Sequence, residues 1–348
     1  MSCQTHLGSV EITQRSFFQN NMKLYIKSAA CISAQNTFEA KEVPQEIKEL
    51  STSFLSCQAP EYKKYISPKL LRRMSPIIRN GICCSKLALE KAGIEVPDAI
   101  IVGTALGCLK DTNTFLSQLI EGNEELPNPT AFIQSTHNTI AGQIALLIGC
   151  KGYNFTFSQM HRSFENALLD AQMLLWDNEA ADVLVGGIDE LPEPIAGLLD
   201  QSSCYKNRLL GEGAGFFVLS AEKSAVYLRG LKTINSKDFD IEKALESFEL
   251  TPADIDLVIG GDANLNDKAY TDVFNTFSKK PYAIYKPFVG EFGTVSSIAM
   301  WLAVRVIEQQ CVPVKWCKNA MTTTKFKNIL VYNRIGNEHS LVVLSSNV

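Results

Sequence analysis

The sequence predicts an α/β fold with parallel strands, and three observations lead there. Tyr153–Glu190 reads as strand, sharp corner, helix and strand: an aromatic and β-branched run (Tyr153–Phe157), a corner through Ser158–Arg162, a helical pattern, then a second apolar run, Ala181–Gly187. Asp98–Leu106 (DAIIVGTAL) is a short apolar stretch that ends in a Gly-containing turn and precedes the helical pattern Lys110–Ile120, as expected of a buried parallel strand. DLVIGG at 256–261 echoes DAIIVG at 98–103, which points to a weak internal repeat between two halves.

Taken in order, Met1–Asn21 is polar and patternless and is expected to be a surface leader. Met22–Ser28 (MKLYIKS) begins the ordered fold as a strand, and Ala40–Pro68, charged and punctuated by proline, is a surface excursion. In Pro68–Gly93 apolar residues from Leu70 to Leu89 recur near helical spacing, and Gly93 supplies the stop. Pro127–Gly142 leads into a helix through Leu147, and Phe216–Leu219 forms a strand after a glycine-rich approach. Beyond it the spacing predicts helix at Asp240–Phe248, strand at Asp256–Gly260, helix at Asn266–Phe277, strand at Tyr282–Lys286 and a long helix over Gly290–Gln310. Val312–Trp316, Asn328–Tyr332 and Ser340–Ser345 complete the set. The expected organisation is a leader (1–21), an N-terminal half (22–225) and a shortened C-terminal half (226–348).

Composition sets bounds. At 348 residues and 46% hydrophobic content the chain can bury a large core in two packed halves. A formal charge of -4 and a pI near 5.7 argue against nucleic acid as a partner, since phosphate binding needs a basic face. No run of about 18 apolar residues predicts a membrane span. Gln4–Gln19 lacks an apolar signal core, so a cytoplasmic location is expected. None of the ten cysteines stands in a C-x-x-C spacing with a second pair or with histidines, so neither a metal, a disulfide framework nor another cofactor is expected and the thiols read as buried and reduced. Cys150 lies in a turn with no histidine or helix start aimed at it. GTALG lacks the Lys-Ser/Thr ending of a phosphate loop and reads as a strand-end turn.

A corner where a strand hands over to a helix points a side chain into a cleft above unpaired N–H groups. Here it offers Met160, His161 and Arg162. At this segment the chain resembles the β-ketoacyl-acyl-carrier-protein synthases, whose strand ends in a nucleophilic cysteine at the helix start and whose next strand reads roughly ADVMVAGG, here ADVLVGG. Leu209–Leu219 (LLGEGAGFFVL) is similar to the family's VLGEGAGMLVL and contributes Gly211, Gly213 and Gly215. RRMSPIIRNGICCSKLALEKAGI resembles an early family helix, and NDKAYTDVFNTF resembles the family's GDKAET helix. The resemblance covers most of Met22–Val348, is shortened between Ser220 and Asp254, and implies a thiolase-like fold: two pseudo-repeated α/β halves with mixed sheets between helix layers.

It also implies a degenerate catalytic set. His161 falls at the cysteine position. The turn that carries the first family histidine reads GGDANLND, with Asp262 the nearest polar substitute. KSxxGHxxGAAG becomes KPFVGEFGTVSS, which keeps Lys286 and puts Glu291 in place of the second histidine. An ionised carboxylate cannot donate to an enolate, so that exchange reverses the electrostatics of decarboxylative condensation. The C-terminal glycine turn, GFGGTN in synthases, reads NRIGNEH. The geometry implied by the family predicts a His161–Glu291 ion pair or hydrogen bond with Lys286 nearby; a core histidine with no role is the alternative. Phe132, Gln134, Thr136 and His137 lie in the segment that, in synthases, crosses the dimer axis and lines the partner's acyl tunnel; for His137 an ordinary polar residue near a helix start is the equal alternative.

The resemblance thus implies a subunit like a chain-length factor, without catalytic machinery, paired as a heterodimer with an active ketosynthase, served by acyl carrier protein and capable of homodimerising in isolation. Within that group it is most similar to the small ketosynthase-like proteins of bacterial aryl-polyene and flexirubin-type pathways. Two rivals stay open: a thioester hydrolase or decarboxylase using His161 as base, and a homodimeric scaffold that binds acyl carrier protein through basic residues such as Lys63–Lys64 or Arg72–Arg73.

Overall fold

The computed structural model describes residues 22–40, 42–46, 54–124, 129–202, 205–206, 208–261, 267–319 and 325–347. The expected leader and Asp262 lie outside them. In chain order the elements are β1 (Leu24–Ile32), β2 (Phe54–Leu55), α1 (Pro68–Leu71), α2 (Pro76–Ala92), β3 (Ala99–Gly103), α3 (Leu109–Glu121), α4 (Pro129–Ser135), α5 (Thr139–Ile148), β4 (Tyr153–Phe157), α6 (Ser163–Trp176), β5 (Asp182–Asp189), α7 (Glu193–Asp200), β6 (Leu210–Gly211) and β7 (Gly213–Ser220). Then follow β8 (Val226–Asn235), α8 (Ile241–Glu246), β9 (Leu257–Gly260), α9 (Lys268–Thr276), β10 (Tyr282–Ile284), α10 (Lys286–Val289), α11 (Ser296–Gln309), β11 (Asn328–Ile335) and β12 (Glu338–Ser346).

Ten strands order as β10-β9-β11-β12-β8-β1-β7-β5-β3-β4. The sequence of pairings is the same on both sides of the β8–β1 junction. β4, β3 and β5 are parallel, and β7 and β1 follow antiparallel. β10, β9 and β11 are parallel, and β12 and β8 follow antiparallel. The two first strands, β1 and β8, join antiparallel over Leu24–Ile26 and Val226–Leu228.

The echo between DAIIVG and DLVIGG now has a physical cause. Asp98 accepts the backbone N–H groups of Ala181 and Asp182 at 2.8 and 3.1 Å, fastening the start of β5 beside β3. Asp256 accepts those of Lys327 and Asn328 at 2.8 and 2.9 Å, fastening β11 beside β9. Each aspartate precedes an apolar strand because the same ladder end has to be closed twice.

The halves sandwich helices in five layers. Inward residues of the N-terminal strands, such as Ile101, Val185 and Phe217, share one core with α6, α11 and the inward residues Ile259, Val331 and Val342 of the other half. α2 and α5 cover the outer face of the first half, over Val102, Leu184 and Phe216. α8 and α9 cover that of the second, over Val258, Leu330 and Val343. The inner helix α11 is buried along most of its length, which explains why its sequence is apolar nearly all round.

Several boundaries differ from the sequence reading. The single helix expected over Pro68–Gly93 is two, because proline at 76 cannot donate to a preceding turn and restarts the helix; Gly93, at φ 70°, closes it. β1 runs on to Ile32, past its expected end at Ser28. β10 stops at Ile284 because Lys286–Pro287 opens a helical turn, and α11 starts at Ser296, after Gly290 bends the chain at φ 81°. Among the described residues no helix is long and apolar enough to cross a membrane. Asp98→Ala and Asp256→Ala should each lower unfolding free energy by about 1 kcal/mol in urea melts, with neither change larger by much, since each removes a carboxylate from two backbone donors.

Candidate functional site at the strand-to-helix corner

The corner between β4 and α6 is built by its neighbours. Met160 holds φ 53°, a left-handed conformation that costs a non-glycine residue about 1 kcal/mol, and Ser163 keeps it there. The Ser163 hydroxyl donates to the Met160 carbonyl at 2.8 Å and accepts from the Gln159 N–H at 2.8 Å. Gly103 ends β3 where a Cβ would lie 2.4 Å from the Ser163 carbonyl oxygen, so the first turn of α6 can rest directly on the strand.

His161 is buried at this corner, its ring edge-on to Tyr205 at 5.5 Å between centroids. Its Nδ1 meets no hydrogen-bond partner among the described residues. Burial first, then the nearby charges of Lys286 and Arg208, hold its pKa down to about 4, so the imidazole is neutral at pH 7.

The segment after α10 carries Glu291. Its backbone forms an isolated parallel bridge with Leu210, with the Glu291 N–H donating to the Leu209 carbonyl at 2.7 Å and the Gly211 N–H donating to the Glu291 carbonyl at 3.1 Å. The approach is possible because two glycines meet: a Cβ on Gly211 would lie 2.2 Å from the Val289 carbonyl oxygen, and one on Gly290 2.5 Å from the Gly211 Cα. Gly213 faces the Ile32 carbonyl and Gly215 the Ser297 carbonyl in the same way, each at 2.8 Å from a would-be Cβ.

The expected contact between His161 and Glu291 is not formed. Glu291 Oε2 instead accepts Lys286 Nζ at 2.7 Å and Arg208 Nη1 at 3.0 Å, and its Oε1 has no partner among the described residues. Two cations within reach satisfy a buried carboxylate better than a neutral, desolvated imidazole can. Lys286 also donates to the Tyr270 hydroxyl at 3.2 Å, and that hydroxyl accepts the Arg334 N–H at 2.9 Å. Tyr285 donates to Asn333 Oδ1 at 3.1 Å, so the turn NRIGNEH is tied into the same network. Beside Glu291 remains a cavity of about 10 Å³, bordered by Asp189, Tyr205 and Phe292, roughly the space of one water and far too small for an acyl chain.

Asp189 at the end of β5 was not singled out in the sequence, though it holds the floor of the site. It accepts from the Thr104 hydroxyl and the Ala105 and Leu106 N–H groups at 2.8–3.3 Å, and from the Thr294 N–H and hydroxyl at 2.9 Å each. Arg208 and Tyr205 also escaped notice, since neither belongs to a motif, and so did Tyr270, which lies within the NDKAYTDVFNTF phrase but was not singled out in it. A buried carboxylate at 291 does demand a cation, and that was the available signal for Arg208.

The residues expected near a partner sit together on α4 and the turn into α5. Phe132 is 55% exposed with its ring 5.3 Å from that of Phe115. The Gln134 amide donates to the Arg73 carbonyl, Thr136 and Thr139 share a hydroxyl contact at 2.8 Å, and the His137 ring packs over Gly107. None of these side chains is joined to His161 by a bond. No described cysteine occupies the corner, and burial pushes Cys31 and Cys83 up to about 12.

The model of the β-ketoacyl synthase N-terminal domain matches residues 28–205, just over half of the chain and the whole stretch from β1 through the corner to α7. The chain belongs to the β-ketoacyl synthase family. Curated relatives include a 3-oxoacyl-[acyl-carrier-protein] synthase 2 of Vibrio cholerae, 25% identical over 139 residues, which are 38% of this chain and 34% of the relative. The same-named protein of Vibrio harveyi is 22% identical over 138 residues, 38% of this chain and 33% of its own length. The family chain described here thus spans about a third of the curated relatives it matches. Among solved structures, the ishigamide ketosynthase/chain length factor superposes with a TM-score of 0.75 at 14% identity, covering 94% of this chain and 100% of the other. A ketosynthase in complex with its chain length factor from Xenorhabdus doucetiae gives 0.68 at 16% identity, covering 93% and 98%. These likenesses establish the thiolase-like fold.

Two outcomes follow for the site. Glu291→Leu should cost about 3 kcal/mol in chemical denaturation, because it removes the buried carboxylate that Lys286 and Arg208 both meet. His161 is depressed from 6.5 in the unfolded chain to about 4 in the folded one, so its neutral form favours folding above pH 6.5 and that advantage is lost as pH falls toward 4. The stability of the unmodified protein relative to His161→Gln should therefore fall by up to about 1.4 kcal/mol per pH unit across that window, read from urea melts at each pH.

Proposed function

We propose that this chain is a ketosynthase-like subunit that resembles a chain-length factor, lacks condensing chemistry of its own, and pairs with an active β-ketoacyl synthase in polyene, polyketide or fatty-acid-type chain elongation. The observation that carries the reading is the state of the two groups that the family resemblance puts at the reactive positions: His161 is a buried, neutral imidazole, and Glu291 is a buried carboxylate neutralised by Lys286 and Arg208 with a cavity of about 10 Å³ beside it. Condensation requires an acyl acceptor and donors to a developing enolate, and neither chemistry is available from these groups.

Pairing is supported by β4. Among the described residues it bonds only to β3, which leaves its outer edge without a strand there, and Tyr153, Phe155 and Phe157 line one of its faces, with adjacent ring centroids 6.1 and 4.9 Å apart. Tyr153 and Phe155 are 41% and 46% exposed, and Leu146 nearby on α5 is 76% exposed. An open, aromatic edge strand is a liability unless a second subunit covers it. The solved structures of similar fold include a ketosynthase with its chain length factor and one complexed with an acyl-carrier protein, which makes an active synthase and an acyl carrier protein the partners to try first. A cytoplasmic setting and an aryl-polyene pathway belong to the same reading.

The rival hydrolase needs Glu291 to orient His161, and Glu291 is engaged elsewhere. The scaffold reading loses part of its basic patch, because Lys64 lies 3.5 Å from Glu61 and 3.8 Å from Glu39. The deciding experiment is co-expression with candidate active ketosynthases of the same host. A one-to-one complex is expected, abolished by Tyr153→Asp with Phe155→Asp, with product formation unchanged by His161→Ala. An acyl thioester carried by this chain, or thioester hydrolysis lost in His161→Ala, would overturn the reading.

A further inference from the structure

Away from the corner, the structure leaves a strand edge open beside a cavity of about 510 Å³. β1 pairs with β8 only as far as Leu24 and Leu228, whereas β12 follows the other edge of β8 to Asn235. From Arg229 onward the edge of β8 turned away from β12 therefore carries no strand among the described residues. Five consecutive residues, Arg229–Thr233, line the cavity, which places it along the edge of the strand and not over one face. α6 also lines it, with Leu169 and Met173 44% and 37% exposed and Trp176 a turn further on, and the Phe248 ring lies over Gly230 of β8.

Charge at the opening has one predominant sign. Lys23, Arg229 and Lys232 stand around the cavity; of the two carboxylates that line it, Glu249 is exposed and Glu165, on α6, is buried. Lys23 is held by the Tyr227 ring at 4.4 Å, and Arg229 donates to the Phe248 carbonyl at 3.4 Å; among the described residues neither forms a salt bridge. Open backbone donors and acceptors, an apolar wall within side-chain reach and a basic rim are together what an extended peptide needs for strand addition.

We propose that β8 between Arg229 and Asn235 is a docking edge for an extended segment of a partner protein, one that alternates apolar and acidic residues. Main-chain bonds to β8 supply the ladder, apolar side chains of the guest enter the space against Leu169, Met173 and Trp176, and its carboxylates face Lys23, Arg229 and Lys232. The site is separate from β4 and from the corner, so it stands whether or not the chain pairs with a synthase.

The probe is a fluorescein-labelled heptapeptide of alternating glutamate and valine, titrated into the full chain at low salt with amide hydrogen exchange followed over residues 229–235. Saturable binding and slowing of those amides by about tenfold or more are expected. Arg229→Glu with Lys232→Glu should weaken binding by at least about tenfold, and Leu169→Trp, which fills the α6 wall, should do the same. Circular dichroism and melting of both variants confirm that they fold, and a Glu249→Gln variant, which removes the carboxylate at the rim, should bind more tightly. Absence of saturable binding at millimolar peptide, or binding indifferent to all three variants, overturns the proposal. So does protection of the β8 amides in the chain alone that disappears on deletion of residues 1–21, since the chain's own preceding segment would then be the occupant.

Discussion

A buried carboxylate with five donors holds this fold together where its halves meet. Asp189 ends β5 and binds the loop after β3 through Thr104, Ala105 and Leu106, while its other oxygen binds the start of α11 through Thr294. Burial works against its charge and the five hydrogen bonds work for it. A charge placed there without those donors would cost several kcal/mol, so the loop, the strand end and the helix start have to arrive together. Gly293, one residue before Thr294, has no room for a side chain: its Cβ would fall 2.1 Å from that of Ala105 and 3.3 Å from the Met160 carbonyl. The corner that carries His161 is thus pressed against the same short segment that Asp189 fixes.

Charge also explains why the region around Glu291 looks as it does. A carboxylate that is nearly inaccessible to solvent needs compensation, and Lys286, five residues earlier across the α10 turn, supplies the nearest positive group. Arg208 reaches in from the approach to β6, the strand whose glycine lets the Glu291 backbone sit alongside. Burial first, and then these same two cations, depress the neighbouring imidazole, so His161 and Glu291 are coupled through their shared neighbours and not by a bond. Tyr270 extends the network to β11 by receiving Lys286 and the Arg334 N–H.

Much of the architecture was legible because it is periodic or repeated. The apolar run before Gly103, its counterpart before Gly260, the helix closed by Gly93 and the LLGEGAGFFVL phrase each state a local rule that the packed structure obeys. β8 was not legible: VYLRGLKTIN mixes charges into a strand that, among the described residues, has no neighbour on one edge from Arg229 onward, and a pattern rule expects a covered strand. The corner itself could be located, since a strand and a helix with five residues between them, Ser158–Arg162, leave few places for a turn. The pairing inside it could not, because the choice between an imidazole and two cations depends on Arg208, whose place relative to Glu291 is fixed only by the close contact of Gly211 with Gly290. Pair predictions from a family pattern carry over backbone positions more safely than side-chain partners.

That separation of backbone from side chain bears on how such a protein can exist. The residues that specify the fold are Gly103, Gly211, Gly290 and Gly293, with Asp189 and the two ladder-closing aspartates; each satisfies a backbone approach or a backbone donor. On the proposed reading the residues that differ from a condensing synthase, His161 and Glu291, differ in their side chains, and such an exchange alters local volume and charge without touching a ladder. On that reading, a cluster in which Lys286 and Arg208 neutralise Glu291 satisfies its own charges, so chemistry can be given up at this position while the backbone contacts that set the fold stay in place. A functional pocket that must stay open to substrate cannot make that substitution. On the proposed reading the selective demand on this chain has moved outward, from the corner to the edges where strands end without partners.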